Sequence, residues 1–289
     1  MPRTPTRASA TASPALASHG PDRVDTLYGE PELYDILHAP DTPWEVQGLF
    51  KIARRFLGPR KPESMRWLEP ACGSGRYLRL AAKKGVRVVG FDRAPAMIDY
   101  ARARMKELGA SRRATLFVGD MVGFETEFKP SSIDMAFNLI NTIRHLPSDR
   151  DMIAHFRGLA SVLKPRGVAI VGISLSSYGN ELPDEDVWRA KRGRTEITQI
   201  ASYIPAPGGK GASGRTERVH SHLMVRTPAG VSHHDDSYGL RAYDLKQWRS
   251  IIARAGFHTI ATIDEHGEDH PVREPGYALH VLQPREPQR

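Results

Sequence analysis

Met65-Arg66-Trp67-Leu68-Glu69-Pro70-Ala71-Cys72-Gly73-Ser74-Gly75-Arg76-Tyr77-Leu78 decides the fold. An apolar run ends on an acid, passes through a turn of small residues and enters a helical pattern. Glycines let such a turn bend tightly and let a ligand approach the backbone at a helix N-terminus. A dinucleotide fingerprint needs a third small residue for close helix packing, and Leu78 stands in that place, which disfavours a hydride-transfer enzyme. The next apolar run, Val86 to Phe91, ends at Asp92, 19 residues beyond Gly73. That is close to the spacing at which a carboxylate meets a ribose in doubly wound sheets. A ribose presents two adjacent hydroxyl donors and a carboxylate presents two acceptor oxygens.

Further strands follow in the same rhythm. Ala114 to Val118 leads into Gly119-Asp120-Met121, and Ile133 to Leu139 into Ile140-Asn141-Thr142-Ile143-Arg144-His145-Leu146. Ser148-Asp149-Arg150-Asp151 caps a helix with Ile153, Phe156, Leu159, Ala160 and Leu163 on one face. Leu163-Lys164-Pro165-Arg166-Gly167 then turns into a strand from Val168 to Ser174. Upstream, Thr42 as N-cap, Pro43 in the first turn and Glu45 closing a capping box start a helix whose apolar face holds Trp44, Leu49, Ile52, Phe56 and Leu57. Gly58-Pro59 ends it.

Glu69 to Gly75 resembles motif I of class I S-adenosylmethionine (SAM)-dependent methyltransferases, with Ala71 in place of the first glycine. Gly90-Phe91-Asp92-Arg93-Ala94-Pro95-Ala96-Met97 resembles motif II of that family. The Leu-Lys-Pro turn, with Arg166 where glycine is usual, and Leu240-Arg241-Ala242-Tyr243 with Ala255-Gly256-Phe257 are similar to later elements of its small-molecule members. The resemblance runs from about Tyr28 to Gln283 and is carried by the order and spacing of the motifs. It implies a Rossmann-like α/β fold: a doubly wound, seven-stranded, mostly parallel sheet with an antiparallel last strand.

The resemblance also implies SAM as methyl donor and S-adenosylhomocysteine as product. The residues implied at the cofactor are Tyr34, Glu69, Ala71, Cys72, Gly73, Gly75, Asp92, Arg93, Met97, Asp120, Met121, Asn138 and Leu139. Met97 would pack on the adenine. Asp120 would bond its amino group, and Met121 would offer a backbone N–H to the ring. The segment after the fourth strand is where such enzymes declare their acceptor. It lacks the Asp/Asn-Pro-Pro-aromatic signature of base N-methylation, and the single cysteine lies inside motif I, away from any pyrimidine-carbon nucleophile role. Both nucleic-acid classes are thereby disfavoured, and the Asn-rich stretch ending in His145-Leu146 resembles that of small-molecule methyltransferases, which implies the N or O of a small molecule as acceptor. RNA or protein methylation, or SAM binding without catalysis, are the alternatives. Tyr28, near the transferable methyl, and His145 or His222, as bases, are the catalytic candidates.

Composition sets the rest. The chain has 289 residues and an apolar fraction of 40%, enough for one large domain with an insertion. No apolar run approaches the length of a membrane span. One cysteine excludes an intrachain disulfide and suggests a reducing, cytoplasmic compartment. The net charge of +8 comes without a long unbroken basic run, so it reads as arginines on solvated faces. Residues 1–23 are rich in Ala, Ser, Thr and Pro and read as a disordered tail, leaving 24–289 as the domain, monomeric or homodimeric. Between about 176 and 243 the pattern turns to alternating runs, Glu196 to Ile204, Glu217 to Arg226 and Val231 to Tyr243. These predict a small antiparallel sheet covering the active-site end. His220, His222, His233 and His234 cluster there with Asp235 and Asp236; His220 and His222 share a strand face that His233 or His234 could join to hold a metal, and solvated polar faces, the reading preferred, give the same composition.

Overall fold

The computed structural model describes residues 26–209 and 211–285. The expected tail, 1–23, lies outside the described residues. Three helices lead in: α1 (Thr26–Gly29), α2 (Pro31–His38) and α3 (Thr42–Leu57). Then β1 (Arg66–Pro70), α4 (Arg76–Lys83), β2 (Arg87–Asp92), α5 (Pro95–Glu107), β3 (Ala114–Val118), β4 (Ile133–Asn138), α6 (Asp149–Val162) and β5 (Leu163–Leu175) alternate as strand and helix. Strands β6 (Asp184–Arg192), β7 (Thr195–Ile204), β8 (Thr216–Thr227) and β9 (Gly230–Arg241) form the insertion, and α7 (Leu245–Arg254), β10 (Phe257–Ile263) and β11 (Gly276–Pro284) close the chain.

The main sheet has seven strands in the order β10-β11-β5-β4-β1-β2-β3. Strands β1 to β5 pair in parallel, and β11 runs antiparallel between β5 and β10. Parallel strands covered on both faces need apolar residues on both, and all of β4 is buried. Neighbouring residues divide between the faces. Trp67, Val88, Val168 and Ile170 pack with Leu49, Ile52, Leu78 and Ile98 from α3, α4 and α5. Leu68, Val89, Ala169 and Val171 pack with Phe156, Leu159, Trp248 and Ile252 from α6 and α7. At the end of the sheet away from the cleft, the buried Asp134 carboxylate binds Arg60 at 2.9 Å and Lys164 at 2.8 Å, and accepts the Arg66 N–H at 2.9 Å.

Leu78, which argued against a dinucleotide, has a definite partner. A Cβ placed on Gly90 would collide with Leu78 Cδ1 and stand 2.9 Å from Cys72 Sγ. The small residue that permits close helix–strand packing therefore sits on β2 instead of on α4. Cys72 is buried there, and burial pushes its thiol well above the ordinary range.

Two expectations need correction at α3. Its N-cap is Asp41 with no side-chain capping bond, so the predicted box does not form. Glu45 instead reaches Arg76 and Tyr77 on α4, while the Thr42 hydroxyl donates to His38 O at 3.3 Å and accepts from Arg76 at 2.8 Å. Trp44 does not join the apolar face and is 74% exposed. The Ser148 cap is as expected, and a further one starts α7. Ser148 Oγ accepts the Asp151 N–H at 3.1 Å, and Asp244 with Gln247 makes a full capping box on α7.

The insertion has four strands rather than three, in the order β6-β7-β8-β9, all antiparallel. β8 alternates cleanly: Val219, Ser221, Leu223 and Val225 are buried. Leu223 and Val225 pack with Ile197 against Leu27, Ile36 and Leu37 of α1 and α2.

Replacing Gly90 with Ala should destabilise the protein by about 1–3 kcal/mol, the usual cost of overpacking a core. Urea unfolding measures it. Pairing Gly90→Ala with Leu78→Val should cost less than the two single losses added, because the same atoms clash.

Candidate active site

The C-terminal ends of β1, β2 and β4 meet where the strand order reverses, between β1 and β4. After β1 the backbone is left-handed at Ala71 (φ 50°), Gly73 (φ 50°) and Gly75 (φ 68°). Glycine adopts this region freely, whereas an L-residue such as Ala71 pays about 1–2 kcal/mol there. Two bonds to β2 hold the turn: the Cys72 N–H donates to Phe91 O at 2.9 Å and the Gly73 N–H to Asp92 Oδ2 at 2.9 Å. Asp92 Oδ1 accepts the Ala94 N–H at 2.9 Å. Each oxygen keeps lone-pair capacity beyond these bonds. The tip after β4 mirrors this strain, with Ile140 at φ 49° and Asn141 at φ 63°. A β-branched residue in that region is an outlier of the kind found at functional sites.

Between these turns lies a cleft lined by Tyr34, Glu69, Ala71, Cys72, Arg76, Asn138 and Leu139, among others. Glu69 is 6% exposed, and its Oε2 has no hydrogen-bond partner; neither has Asn138 Oδ1, whose amide is anchored to Pro70 O at 3.0 Å. Burial pushes the Glu69 carboxyl well above the ordinary range. Two buried acceptors without donors fit the ammonium of an amino acid, which brings three donors and a positive charge. Arg76 lies on the same cleft, 4% exposed, with its guanidinium 3.9 Å from the Tyr77 ring centroid and paired with Glu45. Its charge suits the carboxylate of the same amino acid. These residues fit the methionine end of SAM, and Asp92, one strand over, fits its ribose.

Tyr34 covers the turn. Its ring carbons lie 3.5 and 3.8 Å from where a Gly73 Cβ would stand, ordinary van der Waals contact, so it is the left-handed φ of 50° that favours glycine there. Burial, with Glu69 and Asp92 also acting, pushes its hydroxyl up to about 12 against the opposing charge of Arg76. Asp120 accepts the Val122 N–H at 3.0 Å and is exposed beyond β3. Met121 O accepts the Nδ1–H of His155 at 2.7 Å. His155 is fully buried, and burial holds it down at about 4, so it acts as a neutral strut under the turn. Arg93 is exposed beside Asp92. Met97, expected on the adenine, is 1% exposed and offers the cleft almost no side-chain surface.

The three catalytic candidates separate. His145 follows the strained tip, stacked on Tyr238 of β9 with centroids 5.6 Å apart. Desolvation by the surrounding walls, with Arg93 and Arg144 nearby, lowers it to about 4, although the residue retains solvent exposure. His222 is not brought to the cleft. It projects from the face of β8 opposite Leu223 and Val225, where its Nδ1 bonds Asp235 at 2.6 Å and its Nε2 meets His233 Nδ1 at 3.1 Å. Strand alternation sends His222 outward, so it cannot act as the base. Tyr28 has its backbone in α1, and its side chain lies outside the described residues. Among the described residues, no group of three or more His, Cys, Asp or Glu side chains is placed to hold a metal ion.

One residue with no signal of its own in the sequence organises the N-terminal side. Asp35 on α2 has no exposed surface. It binds Arg79 at 2.7 Å and Arg192 at 2.7 Å, and accepts the hydroxyls of Ser74 at 2.9 Å and Tyr100 at 3.1 Å. Burial alone would raise its carboxyl; Arg79, then Arg192 and Ser74, override that and hold it below 3.8.

The fold is a Rossmann-like α/β sheet with a cleft at its switch point, and sequence comparison says which activity it carries. Residues 68–167 match the family model for the methyltransferase domain, and the chain is a SAM-dependent methyltransferase. It is 25% identical over 229 residues to the dTDP-3-amino-3,6-dideoxy-alpha-D-glucopyranose N,N-dimethyltransferase of Streptomyces fradiae, covering 78% of this chain and 82% of that protein. It is 24% identical to the dTDP-3-amino-3,4,6-trideoxy-alpha-D-glucopyranose N,N-dimethyltransferase of Streptomyces venezuelae, over 78% of this chain and 91% of that one. The fold is also that of the sugar N-methyltransferase KedS8 from Streptoalloteichus sp ATCC 53650, with a TM-score of 0.66, 19% identity, and coverage of 96% of this chain and 100% of that one.

Two outcomes follow from this geometry. Asp92→Ala should raise the SAM dissociation constant about tenfold or more in calorimetry, from lost charged hydrogen bonds of roughly 1.5–3 kcal/mol, with the circular dichroism unchanged. Asp35, with its carboxyl lowered on folding, contributes stability that is complete above the ordinary value of 3.8 and lost as pH falls through the lowered one. The stability gap between wild type and Asp35→Asn in urea should therefore be widest near neutrality and shrink in acid.

Proposed function

We propose that this enzyme transfers the methyl of SAM to an amino nitrogen of a small, sugar-like acceptor held between the strand ends and the insertion sheet. SAM supplies an electrophilic methyl on a sulfonium, and the protein's task is mainly alignment. Glu69, Asn138 and Arg76 would hold the amino-acid end, and Asp92 the ribose. Tyr34 closes the turn from above. Asp120, with the Met121 backbone fixed by His155, would meet the adenine.

The observation that carries nitrogen over oxygen is the similarity to amino-sugar N,N-dimethyltransferases over 78% of this chain, and the surroundings of the imidazoles agree with it. A hydroxyl acceptor needs a base in the transition state, whereas a neutral amine attacks without one. His145, stacked on Tyr238 beyond the tip of β4, is pushed down to about 4 by desolvation and by Arg93 and Arg144. His38, 4.6 Å between centroids from Tyr34, is pushed down to about 4 by burial and Arg76. Both are weaker bases than free imidazole. Tyr238 and the stacked His145 then serve to seat the acceptor, in place of the base role expected of His145.

The test is S-adenosylhomocysteine formation with nucleotide-linked amino sugars and their hydroxyl counterparts. Turnover should appear with the amines, and its rate should rise with pH as the acceptor amine loses its proton. His145→Gln should lower kcat by less than about tenfold, short of the roughly 10²–10⁴-fold that a general base contributes. Turnover confined to hydroxyl acceptors, or a loss in that larger range, would overturn the reading.

A further inference from the structure

Helix α2 stands between the methyl-donor turn and the insertion sheet. Its residues Leu33, Ile36 and Leu37 pack with Ile197, Leu223 and Val225 of β7 and β8. Its residues Tyr34 and Asp35 meet the turn, Tyr34 over Gly73 and Asp35 through the Ser74 hydroxyl at 2.9 Å. One cation crosses from the sheet to this junction. Arg192 is the last residue of β6, at the hairpin into β7. Its guanidinium donates to Asp35 Oδ2 at 2.7 Å, to Asp35 O at 3.2 Å and to Tyr100 Oη at 3.2 Å. A continuous polar chain thus runs from the β6–β7 hairpin through Arg192 and Asp35 to Ser74, between the two left-handed glycines of the turn.

We infer that Arg192 is a positioning residue that couples the placement of the insertion sheet to the order of the methyl-donor turn, so that cofactor binding and acceptor binding strengthen each other. The proposal rests on the reading of the cleft as the SAM site. The geometry separates this role from mere support of the fold. Asp35 is paired twice, and without Arg192 its charge is still met by Arg79 at 2.7 Å. Removing Arg192 therefore leaves no unpaired buried carboxylate, which is the usual cause of collapse. Among the described residues, what it removes is the one charged link between the sheet and Asp35. Coupling of this kind is reciprocal: what the sheet does to the turn, the occupied turn does to the sheet. The two prongs, Nη2 on the Asp35 carboxylate and carbonyl and Nη1 on the Tyr100 hydroxyl, suit a guanidinium, and an ammonium reproduces only part of the contact.

The test compares the full-length wild type with Arg192→Ala, Arg192→Lys and, as a control, Arg189→Ala, whose side chain is exposed on β6. Two readouts are taken: hydrogen–deuterium exchange over residues 72–76, and the dissociation constant for S-adenosylhomocysteine by calorimetry. In Arg192→Ala, exchange over 72–76 should speed up and the dissociation constant rise by about five- to tenfold, within the usual range of site–site coupling. Arg192→Lys should recover part of both, and Arg189→Ala should match wild type. With an amine acceptor, Arg192→Ala should raise the acceptor KM more than it lowers kcat. Unchanged exchange over 72–76, or wild-type affinity in Arg192→Ala, would overturn the proposal. If the wild type itself bound no S-adenosylhomocysteine, the SAM reading would fail, and the exchange comparison alone would decide the link.

Discussion

The bond from the Gly73 N–H to the Asp92 carboxylate, 2.9 Å long, joins the two motifs on which the site is built. It fixes the left-handed turn after β1 against the end of β2. The turn has little latitude. Gly73 stands at φ 50°, which a side chain would strain, and a Cβ on Gly75 would meet the Ala101 Cβ at 3.0 Å. Ala71 is held at φ 50° at the cost of backbone strain, in a place where glycine would rest. The same carboxylate that braces the turn keeps lone pairs for a ribose. Bracing and binding are thus two uses of one side chain, and the loss of Asp92 disturbs both.

Charge is arranged around that turn in a way that suits a zwitterion attached to a nucleoside. Glu69 and Asn138 bring buried acceptors to one side of the cleft, and Arg76 brings a buried cation to another. Their spacing is set from outside the sheet as much as from within it. Glu45 and Thr42 of α3 hold Arg76, while Asp35 of α2 holds Ser74 and Arg79. The N-terminal helices therefore belong to the site. They connect it to the insertion through Arg192 and through the apolar contacts of Ile36 and Leu37.

The strands up to β5 and the turn were legible in the sequence because their signals are local: apolar runs of strand length, glycines where φ is positive, and an acid at a fixed distance; the seven-stranded sheet came from the family resemblance. The four-stranded insertion was legible only in part. β6 reads Asp-Glu-Asp-Val-Trp-Arg-Ala-Lys-Arg, and its nine residues form a strand only because β7 pairs along their whole length. Tertiary pairing overrode a charged pattern there. Residues whose meaning lies in distant partners carried no signal. Asp35, Arg76 and Arg192 acquire their roles from side chains far along the chain, and His155 from the distant Met121 carbonyl. The Thr42–Glu45 pattern had a valid local reading as a capping box, and a stronger partner, Arg76, took Glu45 away from it. His222 was misplaced by the same limit, since alternation shows that it faces away from Leu223 but not which face covers the cleft.

The most direct measurement is a crystal structure of the protein with S-adenosylhomocysteine. The account predicts its amino group against Glu69 Oε2 and Asn138 Oδ1, its carboxylate toward Arg76 and its ribose hydroxyls on Asp92. A product bound with its ribose away from Asp92, or outside the cleft beneath Tyr34, would contradict it.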